Sequence, residues 1–197
     1  MAKRRRSERG RAAPGGPRAR LFLALEVPEP ARAELGRWRD ALVAERRELR
    51  PVALQALHLT LVFLGWQAEG DVRRIAELAA GAVEGLPPAH LTPRAVKPIP
   101  PRHPRLFALD LAEEGGAASA VHEALSAALE AARLYRPEKR PFWPHVTLAR
   151  VKRDARAGPL EVESLPAPFE AAELTLYRST LRPQGALYEP LWRARLD

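Results

Sequence analysis

His58-Leu59-Thr60-Leu61 and His145-Val146-Thr147-Leu148 are one pattern, His-apolar-Thr-apolar, written twice in a chain of 197 residues with five histidines. Both copies lie in strand-like apolar surroundings, Leu57 to Leu64 and Phe142 to Val151. Side chains of a β-strand alternate between its faces, so His and Thr at i and i+2 share one face while the apolar pair points to the other. Two such strands facing one cleft would supply two imidazoles and two hydroxyls. Imidazole, with an ordinary pKa of about 6.5, passes protons in either direction near neutral pH. One neutral and one protonated histidine on opposite sides of a phosphate suit in-line displacement, with Thr60 and Thr147 donating to the non-bridging oxygens. This is equipment for breaking a phosphodiester by acid and base without a metal.

The elements that must position these groups repeat as well. An apolar strand runs from Arg20 to Val27, ended by Pro28 and Pro30, and a helix over Ala31 to Leu49 carries Leu35, Trp38, Leu42 and Leu49 on one stripe, stopped by Pro51. The first tetrad strand follows, then a helix over Val72 to Val83 behind Gly70-Asp71, then a strand from His90 to Lys97. After the proline-rich turn Pro98 to Pro104 the pattern restarts: a strand from Arg105 to Leu111, an alanine-rich helix over Ala117 to Leu134, and the second tetrad strand. Phe169 to Ser179 and Ala186 to Leu196 read as strands, with Pro183-Gln184-Gly185 as the turn between them. The expected fold is α+β and bilobal. Two pseudo-symmetric lobes each carry an antiparallel-rich sheet with helices outside, and the tetrad strands line a central groove. Residues 20–197 form one domain, with the boundary between lobes near 97–104.

Composition narrows the chemistry further. The chain has no cysteine, which removes disulfides, thiolate nucleophiles and cysteine-rich zinc sites. This suits a reducing cytoplasm, the expected location. No apolar run approaches the roughly 18 residues of a membrane span, so no membrane partner is expected. The net charge of +8 is concentrated at the start: residues 1–20 hold eight basic residues and one acidic, a contribution of +7 that leaves +1 for residues 21–197. Residues 1–19, with Gly10, Pro14, Gly15, Gly16 and Pro17, read as a basic disordered tail. A salt-dependent hold on RNA phosphates and a merely solvated extension account for it equally well.

One His-x-Thr-x occurs in strands by chance, and either histidine alone would be better explained as structural. Two copies in equivalent positions of a repeated architecture favour chemistry. A metal site is the rival use, but no carboxylate stands at ligand spacing beside either tetrad and no HExxH-type helix is present, so neither metal nor cofactor is expected.

At these residues the chain resembles the 2H phosphoesterase superfamily, and within it the RNA 2′,3′-cyclic phosphodiesterases of the 2′-5′ RNA ligase family. The resemblance runs over most of residues 20–193. It includes Leu21-Phe22-Leu23-Ala24-Leu25, Leu57 to Gly65 with the first tetrad, Pro144 to Arg150 with the second, and Leu176-Tyr177-Arg178-Ser179 followed by Gly185 and Tyr188. It implies a metal-independent hydrolase that opens a terminal 2′,3′-cyclic phosphate on RNA, tRNA halves among the candidates, to a 2′-phosphomonoester. It also implies a reverse 2′-5′ ligation. By the same resemblance His58 is the proton donor and His145 the proton acceptor, although the sequence itself is symmetric on this point. A monomer is expected.

Around the tetrads, four further residues are candidates for substrate binding. Arg150, at i+5 from His145, needs a bend in the strand to reach the same face. Arg105 opens the equivalent strand after the proline turn. Trp66 and Trp143, beside expected loops, could stack on bases, although aromatics next to strands more often pack in cores. His90, His103 and His122 lack a partner motif and read as surface or structural. Two other functions fit the same residues: a cyclic phosphodiesterase for a small nucleotide metabolite, and a non-catalytic RNA-binding module.

Overall fold

The computed structural model describes residues 16–182 and 185–197. Its elements, in order, are β1 (Arg18–Glu26), α1 (Glu29–Val43), β2 (Leu49–Pro51), β3 (His58–Ala68), α2 (Val72–Val83), β4 (Ala89–Ile99), β5 (Leu106–Glu114), α3 (Ala117–Ala131), β6 (His145–Val151), β7 (Phe169–Ala171), β8 (Glu173–Arg182) and β9 (Gly185–Arg195). The fold is α+β, as expected. One curled antiparallel sheet runs in the order β7-β4-β5-β6-β3-β1-β8-β9, with β2 added on β6. Its two halves meet between β6 and β3, so each half brings one tetrad strand to the centre.

The two halves of the sheet share little backbone pairing. β3 and β6 share a single pairing, Leu59 with Val146, whereas β1 and β3 pair along nine positions. The same edge of β6 is then taken by β2, with Leu49, Arg50 and Pro51 opposite Val151, Arg150 and Ala149. The sheet therefore splays apart at its centre, which is where a groove can open.

Burial fixes which face the tetrads present. Leu59, Leu61, Val146 and Leu148 lie in the main core with Leu23 and Leu25 of β1, Leu174 and Leu176 of β8, Leu109 of β5, and the stripes Ile75/Ala79 of α2 and Val121/Leu125/Leu129 of α3. Each fully buried leucine contributes about 1.5–3 kcal/mol. A one-residue slip would expose two of them and bury His58 and Thr60 in hydrocarbon, so the register is strongly specified.

Several expectations change in detail. α1 ends at Val43 and does not reach Leu49. Arg46 draws the chain into a turn by pairing with Glu48 at 2.6 Å and donating to the carbonyls of Gly158 and Pro159. Leu49 then packs with Val43, Phe107 and Ala149 as part of β2, an element the helical spacing concealed. The expected strand from Phe169 to Ser179 is broken at Ala172 into β7, at one edge of the sheet, and β8, in the other half between β1 and β9. The turn at 97–104 joins β4 to β5, neighbours in the same half of the sheet. The chain passes from one half to the other earlier, between α2 and β4, and returns after β7. β1 begins at Arg18, so Arg18 and Ala19, expected in the disordered tail, are in the sheet; the rest of that tail up to residue 15 and, at 183–184, most of the expected final turn lie outside the described residues. No helix among the described residues is long and apolar enough to cross a membrane.

Candidate active site

The Leu59–Val146 pairing generates the site. Carried one residue either way, that register sets His58 opposite Thr147 and Thr60 opposite His145. All four side chains share the face turned away from the core, with the two histidines on one diagonal and the two threonines on the other. Diagonal neighbours in an antiparallel pair are about 7–8 Å apart, room for a tetrahedral phosphate between two imidazoles.

Three β-bulges decide what else reaches this face. Opposite β1, Leu61 and Leu64 are the extra residues of β3, so that Ala24 pairs with Thr60 and Phe22 with Phe63. Both Thr60 and Phe63 thereby face the site although they are three residues apart. Gly65, at φ 69°, follows the second bulge in a conformation that a residue with a Cβ rarely adopts. Opposite β5, Leu148 is the extra residue of β6: Asp110 pairs with His145, Ala108 with Thr147 and Leu106 with Arg150. Residues 106, 108 and 110 share a face, so their partners do too, and the bulge supplies the bend that Arg150 needs.

His58 is buried in an aromatic cage. Phe22 stacks on it at 5.0 Å, Tyr177 lies at 5.8 Å, and Tyr188 meets it edge-on at 5.3 Å. Tyr177 is held by a hydrogen bond from its hydroxyl to the buried Glu26 carboxylate, and burial raises its pKa. Among the described residues the His58 Nδ1 has no hydrogen-bond partner. Burial first, and then the charge of His145, push its pKa down to about 4, so the ring is neutral near pH 7 in the free protein.

His145 is held differently. Its Nδ1 lies 2.8 Å from the Trp143 carbonyl oxygen. A carbonyl can only accept, so Nδ1 carries the proton and a neutral ring keeps its lone pair on Nε2. The Trp143 indole lies flat on the ring at 4.2 Å and donates from Nε1 to Asp110 at 2.5 Å. Asp110 also takes the Lys97 ammonium at 2.7 Å. Burial pushes the Asp110 carboxyl up, but the hydrogen bonds from Lys97 and Trp143, with the charges of Lys97 and Arg94, together outweigh it and hold the pKa below its ordinary value.

A cavity of about 430 Å³ opens beside His58 and Thr60. Among the described residues, Arg20, Arg50, Arg150 and Arg182 line it together with Phe63, Ser179 and Tyr188, and no carboxylate does. Arg20 donates to the Ser179 hydroxyl at 3.3 Å and lies 4.5 Å over the Phe63 ring. Such a cluster suits an anion with several acceptor oxygens. A larger cavity, about 620 Å³, lies on the far side of Tyr177 and Tyr188. Its glutamates and arginines largely neutralise one another, as in Arg32 with Glu26 and Arg193 with Glu173, so it lacks the unbalanced charge an anion needs.

The expected site residues are thus distributed unequally. His58, Thr60 and Arg150 line the basic cavity, and His145 and Thr147 stand beside it on β6. Trp66 is 58% exposed at the rim, opposite Arg20. Trp143 has one face committed to His145. Arg105 lies in a different cleft, beyond the end of β6. Sequence reading missed Arg20, Arg50, Arg182 and Asp110. They lie on four strands separated along the chain, and the sheet order alone brings them to the site. Among the described residues no three His, Cys, Asp or Glu side chains gather as metal ligands would.

The model of the 2′-5′ RNA ligase superfamily matches residues 27–182. The chain belongs to that superfamily. An RNA 2′,3′-cyclic phosphodiesterase of Methanothermobacter thermautotrophicus is 30% identical over 187 residues, covering 91% of this chain and all of the relative. One of Thermus thermophilus is 34% identical over 179 residues, 87% of each chain. The crystal structure of the Thermus thermophilus protein TT0787 superposes with a TM-score of 0.75 at 31% identity, covering 90% of this chain and 97% of that one. The Escherichia coli protein LigT in complex with 3′-AMP superposes with a TM-score of 0.71 at 28% identity, covering 91% and 99%. This chain carries both tetrads, on facing strands of one curled sheet.

Proposed function

We propose that this protein hydrolyses the terminal 2′,3′-cyclic phosphodiester of RNA to a 2′-phosphomonoester, with His145 as the base and His58 as the acid. The diagonal placement of the two histidines beside an arginine-lined cavity carries this reading. A neutral His145 protonated on Nδ1 turns a free Nε2 lone pair to the cleft, suited to removing a proton from water. Water attacks phosphorus, the bond to the 3′ oxygen breaks, and His58 delivers a proton to that oxygen. A protonated imidazole buried as His58 is buried is a strong acid, which suits an alkoxide leaving group. The substrate phosphate, an anion, supplies the charge that lets His58 hold its proton in the complex. Thr60, Thr147 and Arg150 donate to the non-bridging oxygens as charge gathers there.

The same groups serve ligation. An RNA 5′-hydroxyl in place of water attacks the cyclic phosphate, the 3′ oxygen leaves protonated, and a 2′-5′ bond results. The names of the relatives, RNA 2′,3′-cyclic phosphodiesterases, support RNA as the substrate class. The test is turnover of cytidine 2′,3′-cyclic phosphate in excess EDTA by the wild type, His58→Ala and His145→Ala. Each variant should lose several orders of magnitude in kcat while its circular dichroism stays native. Full activity in either would overturn the assignment.

A further inference from the structure

Past Arg150 the site face of β6 runs out at Val151, and a second cleft of about 570 Å³ opens there. Arg102, Arg105, Arg153 and Arg156 line it, with His103 and one acid, Asp154. None of the four guanidinium groups makes an ion pair or a side-chain hydrogen bond among the described residues. Arg32, Arg46, Arg73 and Arg178, by contrast, each pair with a glutamate. Four unpaired cations in one concavity repel one another, an arrangement that an arriving polyanion relieves.

The cleft is also built to hold its shape. Its first wall, Arg102 to Arg105, belongs to the turn after β4 in which Pro100, Pro101 and Pro104 each fix their own φ. Arg105 N–H donates to the Ile99 carbonyl at 2.7 Å, and Val151 N–H to the Arg105 carbonyl at 2.9 Å, tying that turn to the end of β6. Ala155 N–H closes the other wall on the Lys152 carbonyl at 3.1 Å. Arg105 directly precedes Leu106, the partner of Arg150, and Arg153 follows Arg150 by about 10 Å of strand at most, so the cleft starts at the strand ends next to the site. Among the described residues no Phe, Tyr, Trp, Asn or Gln lines it, and its four guanidinium groups match phosphates best.

We propose that this cleft holds backbone phosphates of the RNA upstream of its cyclic end, gripping the strand without reading sequence. The proposal rests on placing the cyclic phosphate at the His58 cavity. It makes the enzyme prefer oligonucleotides over mononucleotides through KM.

The test uses the full chain with Arg102→Gln, Arg153→Gln and Arg156→Gln combined, leaving Arg105 in place at the strand end. Binding of a fluorescent adenosine oligoribonucleotide of about ten residues is followed by anisotropy across a sodium chloride series. In parallel, hydrolysis is compared on adenosine 2′,3′-cyclic phosphate and on the same oligonucleotide ending in a cyclic phosphate. The variant should bind the oligonucleotide at least about tenfold more weakly, with the salt slope shallower by about 2 for three lost phosphate contacts. Its KM for the oligonucleotide should rise, with the mononucleotide, too short to reach the cleft, as the reference rate. Asp154→Asn, which removes the one acid, should bind the oligonucleotide severalfold more tightly. Unchanged affinity and salt slope in both variants would overturn the proposal, as would an equal loss on mononucleotide and oligonucleotide. If the wild type hydrolyses neither substrate yet the variants shift binding as stated, the cleft stands and the reading of the His58 cavity falls.

Discussion

Leu59 pairs with Val146 across the centre of the sheet, and no other residue pair of β3 and β6 is bonded in the ladder. This contact between two core residues sets the spacing of the four polar side chains on the opposite face, with Thr60 and Thr147 on the diagonal that crosses the line between the histidines. Thr60→Val and Thr147→Val keep the strand shape and the core while removing one donor each. Hydrogen bonds to charged groups are worth about 1.5–3 kcal/mol, so each variant should lose roughly tenfold to a hundredfold in kcat/KM. Steady-state kinetics on a cyclic mononucleotide checks this, and a loss below twofold in both would remove the threonines from the phosphate.

His58 should also make stability depend on pH. In the unfolded chain its imidazole takes a proton below about pH 6.5. In the folded protein, burial and His145 delay this until about pH 4. Between these values the unfolded state binds more protons, so stability falls as pH drops from 6.5 to 4 and levels off outside that window. At 1.36 kcal/mol per pKa unit the contribution lost is about 3 kcal/mol. Urea unfolding of the wild type and His58→Gln at several pH values isolates it, because every other group is common to both. Parallel curves for the two proteins would contradict the depressed pKa.

The Trp143 indole is a positioning group for His145, held by its hydrogen bond to Asp110. Trp143→Phe keeps an aromatic face but drops that bond, leaving the ring free to tilt. Because misorientation of a reacting group acts on the chemical step, kcat should fall about tenfold while KM stays within about twofold. An effect on KM alone would instead make Trp143 a substrate contact.

Arg150 reaches the site face through the bulge at Leu148. Arg150→Ala should lower kcat/KM roughly tenfold to a hundredfold, and Arg150→Lys should recover part of it, since an ammonium keeps the charge but not the two-pronged geometry. Inorganic phosphate should inhibit Arg150→Ala more weakly than the wild type. Equal inhibition constants would place the phosphate elsewhere.

How much of this was legible in the sequence follows from the range of each signal. The tetrads, their alternation and the core leucines beneath them are local, and the strand period exposes them directly. α2 was readable in full because its apolar stripe ends where Gly85 and Pro87 end the helix. β2 was not, because Leu49 continues the spacing of α1 and its partner Val151 lies about a hundred residues away. The bulges at Leu61, Leu64 and Leu148 were hidden too, since each is an apolar residue that looks like one more core position. Without them neither Phe63 nor Arg150 could be assigned a face. The arginine cluster of the cavity needs the full strand order, which joins β1, β2, β6 and the end of β8. Arg105 shows the converse: its place at a strand start resembled that of a site residue, yet the strand opens into another cleft.

The most direct test of the account is the product formed from an oligoribonucleotide ending in a 2′,3′-cyclic phosphate, incubated in EDTA and followed by phosphorus NMR. The account predicts a 2′-phosphomonoester, absent with His58→Ala and with His145→Ala. A 3′-phosphomonoester would mean that the 2′ oxygen leaves, contradicting the placement of the acid, and an unreacted cyclic phosphate would contradict the proposed reaction itself.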